Sequence, residues 1–177
     1  SDPGMMTVHL ESAIQNVVMQ GNLQQNVKSC DLVRLLLESS GMDHCMLTSS
    51  GAMANENALK ILFQKSYPAS RVLAFERCFM GRTLAVAQIT DKAVYRDGLP
   101  PTLNVDYIPF FDSNHPEESL KKSVAILKSY LNRYPGQYAA MCFELIQGEG
   151  GYYPGDTTFF KEIMKILKEH KVGILVD

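Results

Sequence analysis

The sequence has few cysteines, no long apolar run and no block of basic residues, and each shortage excludes a class of protein. Cys30, Cys45, Cys78 and Cys142 stand alone, with neither a CxxC pair nor a histidine at ligand spacing, so no disulfide framework and no metal site is predicted. No apolar run approaches the roughly 20 residues of a membrane span. Lys+Arg 17 against Asp+Glu 19 gives a net charge of -2 with scattered basic residues, so no nucleic-acid partner is indicated.

The composition that remains is that of a globular domain. Of the 177 residues, 46% are hydrophobic and 20% are charged. Lone thiols and the lack of a basic-then-apolar leader favour a cytoplasmic location. Residues 1–4, which precede Met5 and Met6, are interpreted as a cloning remnant, and residues 5–177 as one folding unit. Residues 172–177 have the pattern of a buried strand that ends on a carboxylate, and we expect the sequence to be cut there.

Predicted helices and strands alternate along the chain. Apolar residues at helical spacing predict helices at about 27–40, 52–65, 83–89, 116–134 and from 157 onward. Short apolar runs predict strands at 45–48, 71–76, 104–110, 138–146 and 172–176. Such alternation implies right-handed crossovers and a mainly parallel sheet flanked by helices, so the predicted fold class is α/β.

Parallel sheets bind ligands beyond the carboxyl ends of their strands, where this sequence places four polar clusters. They are residues 49–52, 78–83, 144–151 and Asp177. The first can hold a phosphate at a helix start, although a simple serine helix cap is the alternative. In the second, Phe79 and Arg82 can hold a flat ring and a carboxylate, although core packing and a surface charge explain them equally well. Asp177, at the mouth of an apolar strand, calls for a cationic partner.

In this order, the four clusters resemble the class III, or omega-amino-acid, aminotransferases, which include acetylornithine, ornithine, 4-aminobutyrate and lysine epsilon-aminotransferases. The matching stretches are residues 50–56, 79–83, 144–151 and 174–177. The resemblance implies that residues 5–177 are part of the large, cofactor-binding domain of a fold-type I enzyme. It also implies pyridoxal 5'-phosphate as cofactor and a homodimer with its active sites at the subunit interface.

Carried over residue by residue, the resemblance assigns a cofactor site. It places Ser50, Gly51 and Ala52 at the cofactor phosphate, Phe79 on the pyridine ring and Asp177 against the ring nitrogen. The assignment agrees with the chemistry, because a nearby carboxylate keeps the ring nitrogen protonated and the ring then accepts electrons.

The resemblance also assigns the residues that act on the substrate. It implies that Asp177, Glu144 and Glu149 are catalytic, with both glutamates in the wall of the active site. In ornithine-type members, the residue matching Arg82 helps to hold a substrate carboxylate, and the residue matching Glu149 pairs with an arginine from later in the chain.

The implied activity is transfer of an amino group from an omega-amino donor of one of those four classes to a 2-oxo acid such as 2-oxoglutarate. In the family, the Schiff-base lysine lies beyond the strand that ends at Asp177. Most lysines here fall on predicted helices and Lys92 lies in a polar loop, so we expect this chain alone to lack that lysine and to be inactive.

Two alternatives remain open at this point. One is a catalytically inactive relative or fragment that acts as a cofactor-binding or assembly module. The other, an unrelated nucleotide-binding domain, is disfavoured because neither GxGxxG nor GxxxxGK[ST] occurs. The sequence does not choose among the amino donors.

Overall fold

The computed structural model describes residues 2–15 and 26–177, and the chain divides into two compact units, residues 1–47 and 48–177. The first unit contains helices α1 (Pro3–Ile14) and α2 (Val27–Ser40). The Asn26 side chain caps α2, and Gly41 ends it in the left-handed conformation at φ 66. The helix predicted at 27–40 is confirmed. Of the predicted cloning remnant, Ser1 lies outside the described residues, and Pro3 and Gly4 lie in α1.

The second unit is built on a four-stranded parallel sheet. Its strands are β1 (Arg71–Phe75), β2 (Asn104–Ile108), β3 (Tyr138–Phe143) and β6 (Gly173–Val176), in the order β2-β1-β3-β6. Its helices are α3 (Gly51–Lys65), α4 (Val86–Ile89), α5 (Pro116–Arg133) and α6 (Thr157–Glu169). A two-stranded hairpin joins β4 (Ile146–Gln147) to β5 (Tyr153–Pro154). The predicted α/β class with a mainly parallel sheet is confirmed.

Helices cover both faces of this sheet. Successive side chains of a strand point to opposite faces, so each strand contributes to two buried clusters. Leu73 and Phe75 of β1 pack in one buried cluster with residues of α5 and α6, such as Leu127. Val72 and Ala74 pack in a second cluster with residues of α3 and α4. The two faces are called the α5 side and the α3 side below.

The strand predicted at 45–48 is wrong, since these residues have no regular secondary structure. In the part of the chain that the structure describes, residues 45–48 are not a strand of either sheet. An extended segment becomes a strand only when a neighbour satisfies its N–H and C=O groups.

Several predicted elements are present but shorter. The strand predicted at 138–146 ends at Phe143, because the chain turns where the Glu144 carboxylate accepts backbone N–H bonds. The helix predicted at 83–89 is regular only from Val86. The strand predicted at 104–110 ends at Ile108.

Candidate active site

The carboxyl ends of three neighbouring strands lead into the predicted clusters. Residues 76–81 follow β1, residues 144–151 follow β3, and Asp177 follows β6. The start of α3 lies at the same edge, since a Cβ atom placed on Gly81 would be 2.9 Å from the Cβ of Ala52. The fold therefore brings segments distant in sequence to one edge of the sheet, as ligand sites of parallel sheets require.

The α3 start has the free donors and the open space that an anion needs. Ser50 is the helix cap: its Oγ accepts from the N–H of Met53 at 3.2 Å, and its carbonyl accepts from the N–H of Ala54 at 3.0 Å. The N–H groups of Gly51 and Ala52 precede this first helical bond. A Cβ on Gly51 would meet no atom within 4 Å. The serine cap and the space for a phosphate are thus both present.

Phe79 is not a core residue. Its neighbours Cys78 and Met80 are buried in the α3-side cluster, whereas Phe79 is half-buried and belongs to neither buried cluster. The Phe79 ring contacts Tyr95 edge to face, with centroids 5.7 Å apart. The ring is therefore partly exposed at this edge, as a ring that stacks on a flat ligand must be.

Glu144 fixes the two loops that border Phe79. One carboxylate oxygen accepts from the N–H of Phe79 at 2.9 Å, and the other accepts from the N–H of Gly148 at 2.9 Å. Both oxygens of this half-buried carboxylate therefore accept hydrogen bonds from backbone N–H groups. Its observed part is to join the loop after β1 to the loop after β3.

Glu149 lies among positive and donor groups. It forms an ion pair with Lys92 and accepts from the Tyr95 hydroxyl at 3.2 Å. The hydrogen bond and charge of Lys92, then Tyr95 and the more distant charge of Arg82, hold the pKa of Glu149 below its ordinary value. The same bond raises the pKa of Lys92.

Asp177 continues the ladder of β6, since its N–H donates to the carbonyl of Phe143 at 2.9 Å. By strand alternation its side chain lies on the α3 side, together with Leu175 and Cys142. Burial, followed by the charges of Cys78 and Asp177, raises the pKa of the Cys142 thiol. The exposed Asp177 carboxylate forms no ion pair with any residue in the described ranges.

Sequence reasoning missed the residues that hold this edge together. Asn55, Thr90 and Asp91 each bond the backbone of residues 77–81 through their side chains. Lys92 and Tyr95 hold Glu149. The polar run at residues 90–92, directly after the apolar residues of α4, was a signal for Thr90, Asp91 and Lys92.

Three further features bear on the kind of site. A cavity of about 760 Å³ lies beside the start of α5 and shares only Gln147 with the predicted clusters. Within residues 2–15 and 26–177, no three His, Cys, Asp or Glu side chains are grouped to bind a metal ion. No helix in those ranges has the length and apolar character to cross a membrane.

A helix start with N–H groups outside the helical ladder, a partly exposed aromatic ring and a carboxylate lie at one edge of a parallel sheet, which is where α/β domains bind their ligands. The chain belongs to the class III aminotransferase family, whose sequence model matches residues 2–177. The cofactor of this family is pyridoxal phosphate. The resemblance inferred from the four clusters is thereby confirmed.

Curated relatives agree with this membership. The chain is 33% identical to the acetylornithine aminotransferase of Halalkalibacterium halodurans over 156 residues, which cover 88% of this chain and 35% of the relative. It is 30% identical to the acetylornithine aminotransferase of Archaeoglobus fulgidus over 168 residues, which cover 95% of this chain and 41% of the relative. The chain thus spans well under half the length of these relatives.

Solved structures share the fold. An ornithine aminotransferase from Toxoplasma gondii superimposes with a TM-score of 0.82 at 22% identity, over 99% of this chain and 40% of that one. An (S)-enantioselective omega-transaminase from Thermomicrobium roseum does so with a TM-score of 0.87 at 21% identity, over 100% of this chain and 43% of that one. The fold is that of fold-type I pyridoxal-phosphate transferases.

Proposed function

We propose that the whole protein transfers an amino group from an omega-amino donor to a 2-oxo acid such as 2-oxoglutarate. The donor classes are those of acetylornithine, ornithine, 4-aminobutyrate and lysine. The observation that carries the proposal is the meeting of the α3 start, the Phe79 loop and Asp177 at one edge of the sheet. The acetylornithine aminotransferase relatives support an omega-amino donor.

In this proposal, the described residues bind the cofactor at three points. Ser50, Gly51 and Ala52 hold the phosphate, which fits the open space beside Gly51. Phe79 covers the ring, and stacking of this kind contributes about 0.5–1.5 kcal/mol beyond area burial. Asp177 holds the proton on the ring nitrogen, which fits a carboxylate that lacks a cationic partner in the described ranges. When bound, pyridoxal phosphate supplies the sink for the electrons of the bond that breaks.

Three charged side chains complete the proposed site. Arg82 binds a substrate carboxylate, since its guanidinium is exposed and close enough to Glu149 to lower the pKa of that carboxyl. Glu149 and Glu144 form part of the wall of the active site. Glu144 acts by holding the N–H groups of Phe79 and Gly148, so its part is to orient the ring and the wall together.

We further propose that none of the lysines in this chain carries the cofactor and that the chain alone is inactive. Lysines on α2, α3, α5 and α6 are part of helices, and Lys92 is engaged with Glu149. The remaining one, Lys171, precedes β6. A lysine elsewhere in the whole protein would then bind the cofactor and move the proton.

The cellular location, oligomeric state and partners of the protein are proposed from its family. Residues 5–177 would be part of the large, cofactor-binding domain of a cytoplasmic homodimer. Its partners would be the small-molecule amino donor, the 2-oxo acid and a second copy of the chain, with no nucleic acid and no membrane.

The experiment compares wild-type full-length protein with the variant Asp177→Asn. Wild type should bind pyridoxal phosphate and turn over at least one of the four donors with 2-oxoglutarate. Asp177→Asn should fold and lose activity about tenfold to a thousandfold, because a close opposite charge shifts a pKa by about 1–3 units. Glu162→Gln, an exposed change on α6, is the matched control and should be neutral.

Other outcomes separate the alternatives. Cofactor binding without turnover of any donor would favour the inactive binding module. Activity of Asp177→Asn within about threefold of wild type would contradict the assignment of Asp177. Borohydride trapping of the cofactor on one lysine of the 177-residue chain would contradict the proposal that the lysine lies elsewhere.

A further inference from the structure

We propose that Thr90 is a positioning residue, which holds the Phe79–Arg82 segment in the geometry needed for cofactor and substrate binding. The inference rests on the proposed function, since it concerns the same site. Thr90 directly follows α4 and lies outside the four clusters that the sequence singled out.

Thr90 is a buried hydroxyl with both of its functions used. Its side chain accepts from the N–H of Met80 at 3.0 Å and donates to the carbonyl of Gly81 at 2.9 Å, and the residue is 1% exposed. Its own N–H donates to the carbonyl of Val86 at 2.9 Å. One side chain thus ties two consecutive residues of the loop to the end of α4.

The loop that these bonds hold also contacts the start of α3. A Cβ on Gly81 would lie 2.7 Å from Val86 Cγ2 and 2.9 Å from the Cβ of Ala52, so backbone and helix are in close contact there. From the α3 side, the buried Asn55 donates to the carbonyl of Met80 at 3.0 Å. The loop is therefore fixed relative to the N–H groups that the phosphate would use.

Few side-chain contacts hold Phe79 and Arg82, the two residues that would face the ligands. Phe79 has one aromatic neighbour, Tyr95, at an edge-to-face contact. Arg82 is exposed and forms no hydrogen bond or ion pair with any residue in the described ranges. Their positions therefore depend on the backbone of residues 79–81, which Thr90 holds together with Glu144 and Asn55. We expect Thr90 to act on cofactor binding through Phe79 and on binding of the acid substrate through Arg82.

The test uses the full-length enzyme with the variants Thr90→Val and Thr90→Ser. Valine keeps the shape but leaves the Met80 N–H and the Gly81 carbonyl without partners, and serine keeps the hydroxyl. Thr90→Val should raise the Kd for pyridoxal phosphate about tenfold and raise the KM for the 2-oxo acid more than it lowers kcat. Thr90→Ser should restore the Kd to within about twofold of wild type.

Ser123→Ala is the matched control. Ser123 is also buried, and its single hydroxyl proton is shared between the carbonyls of Pro109 and Ser119, each 2.8 Å away, but it lies on α5. This variant should lower the Tm and leave the Kd and KM unchanged. If Thr90→Val and Ser123→Ala lower the Tm alike and neither changes the Kd or KM, Thr90 is only structural and the inference is wrong.

Hydrogen exchange on the wild type supplies a test that needs no variant. The Met80 N–H should exchange as slowly as the amides of β3, because a buried hydroxyl holds it. Exchange as fast as that of the exposed residues Gly98 and Thr102 would overturn the inference while leaving the proposed function standing. Wild type that binds no pyridoxal phosphate would instead show that the proposed function itself has failed.

Discussion

At the scale of the residue, the charge of Glu149 is set by its neighbours. Lys92, Tyr95 and, at longer range, Arg82 all favour the ionised carboxylate and lower its pKa. Because the folded-state pKa is depressed, the interaction is present above the ordinary pKa of a glutamate and is lost as the pH falls through the lowered value. Glu149 therefore stays negative throughout the neutral range and remains able to balance Arg82.

The prediction at this scale concerns the variant Lys92→Met. Removing the ammonium group should raise the pKa of Glu149 toward its ordinary value, because Lys92 is the largest cause of the depression. An NMR titration of the Glu149 carboxyl carbon measures this directly. Lys65→Met, at the exposed end of α3, is the control and should leave that pKa unchanged. An unchanged pKa in Lys92→Met would mean that the ion pair does not persist in solution.

At the scale of the element, the contact between the loop after β1 and the start of α3 depends on glycine. Gly81 has φ +123, in a region that side chains rarely adopt, and a Cβ there would meet both Val86 and Ala52. Gly51, only one residue away from Ala52, has open space instead. The two glycines therefore serve different needs, close packing at Gly81 and access at Gly51.

The corresponding prediction compares Gly81→Ala with Gly51→Ala. Gly81→Ala should lower the free energy of unfolding by about 2–4 kcal/mol, through backbone strain and overpacking. Gly51→Ala should leave that free energy unchanged or slightly raised, since alanine favours helix, but should weaken cofactor binding because the methyl group enters the phosphate space. Urea unfolding and cofactor titration measure the two effects. Equal losses of stability in both variants would contradict the assigned packing.

At the scale of the whole molecule, large apolar side chains remain exposed in the second unit. Met53 and Ile61 of α3 are 44% and 55% exposed, and Leu145 and Ile146 after β3 are 49% and 59% exposed. Exposed apolar residues of this size are typical of surfaces that another chain or another part of the chain covers. Either the second copy of the proposed homodimer or another part of the whole protein would cover them.

The prediction at this scale is that the full-length protein sediments as a homodimer at micromolar concentration. Met53→Lys, which places a charge on the exposed part of α3, should shift the equilibrium toward monomer if this surface is buried in the dimer. Lys60→Met, on the same helix, is the control for a change of charge. A wild-type protein that is fully active as a monomer would refute the proposal.

The sequence by itself determined the α/β class, the family and most of the alternation of helices and strands, although it predicted neither α1 nor the β4–β5 hairpin. These follow from local patterns, such as the capped and amphipathic helix at 27–40 and the continuous apolar strand at 138–143. It did not predict where strands end or that residues 45–48 stay irregular, because a strand exists only through its neighbours.

Only the tertiary structure decided which polar groups meet. The bonds from Asn55, Thr90 and Glu144 to the loop after β1 join residues 10 to 65 positions apart. Periodicity along the chain carries no information about such pairs, since they arise when parallel strands bring their carboxyl ends together. For the same reason, the sequence marked Phe79 and Asp177 as candidate site residues, whereas the fold put them after β1 and β6, two strands separated by β3, on one edge of the sheet.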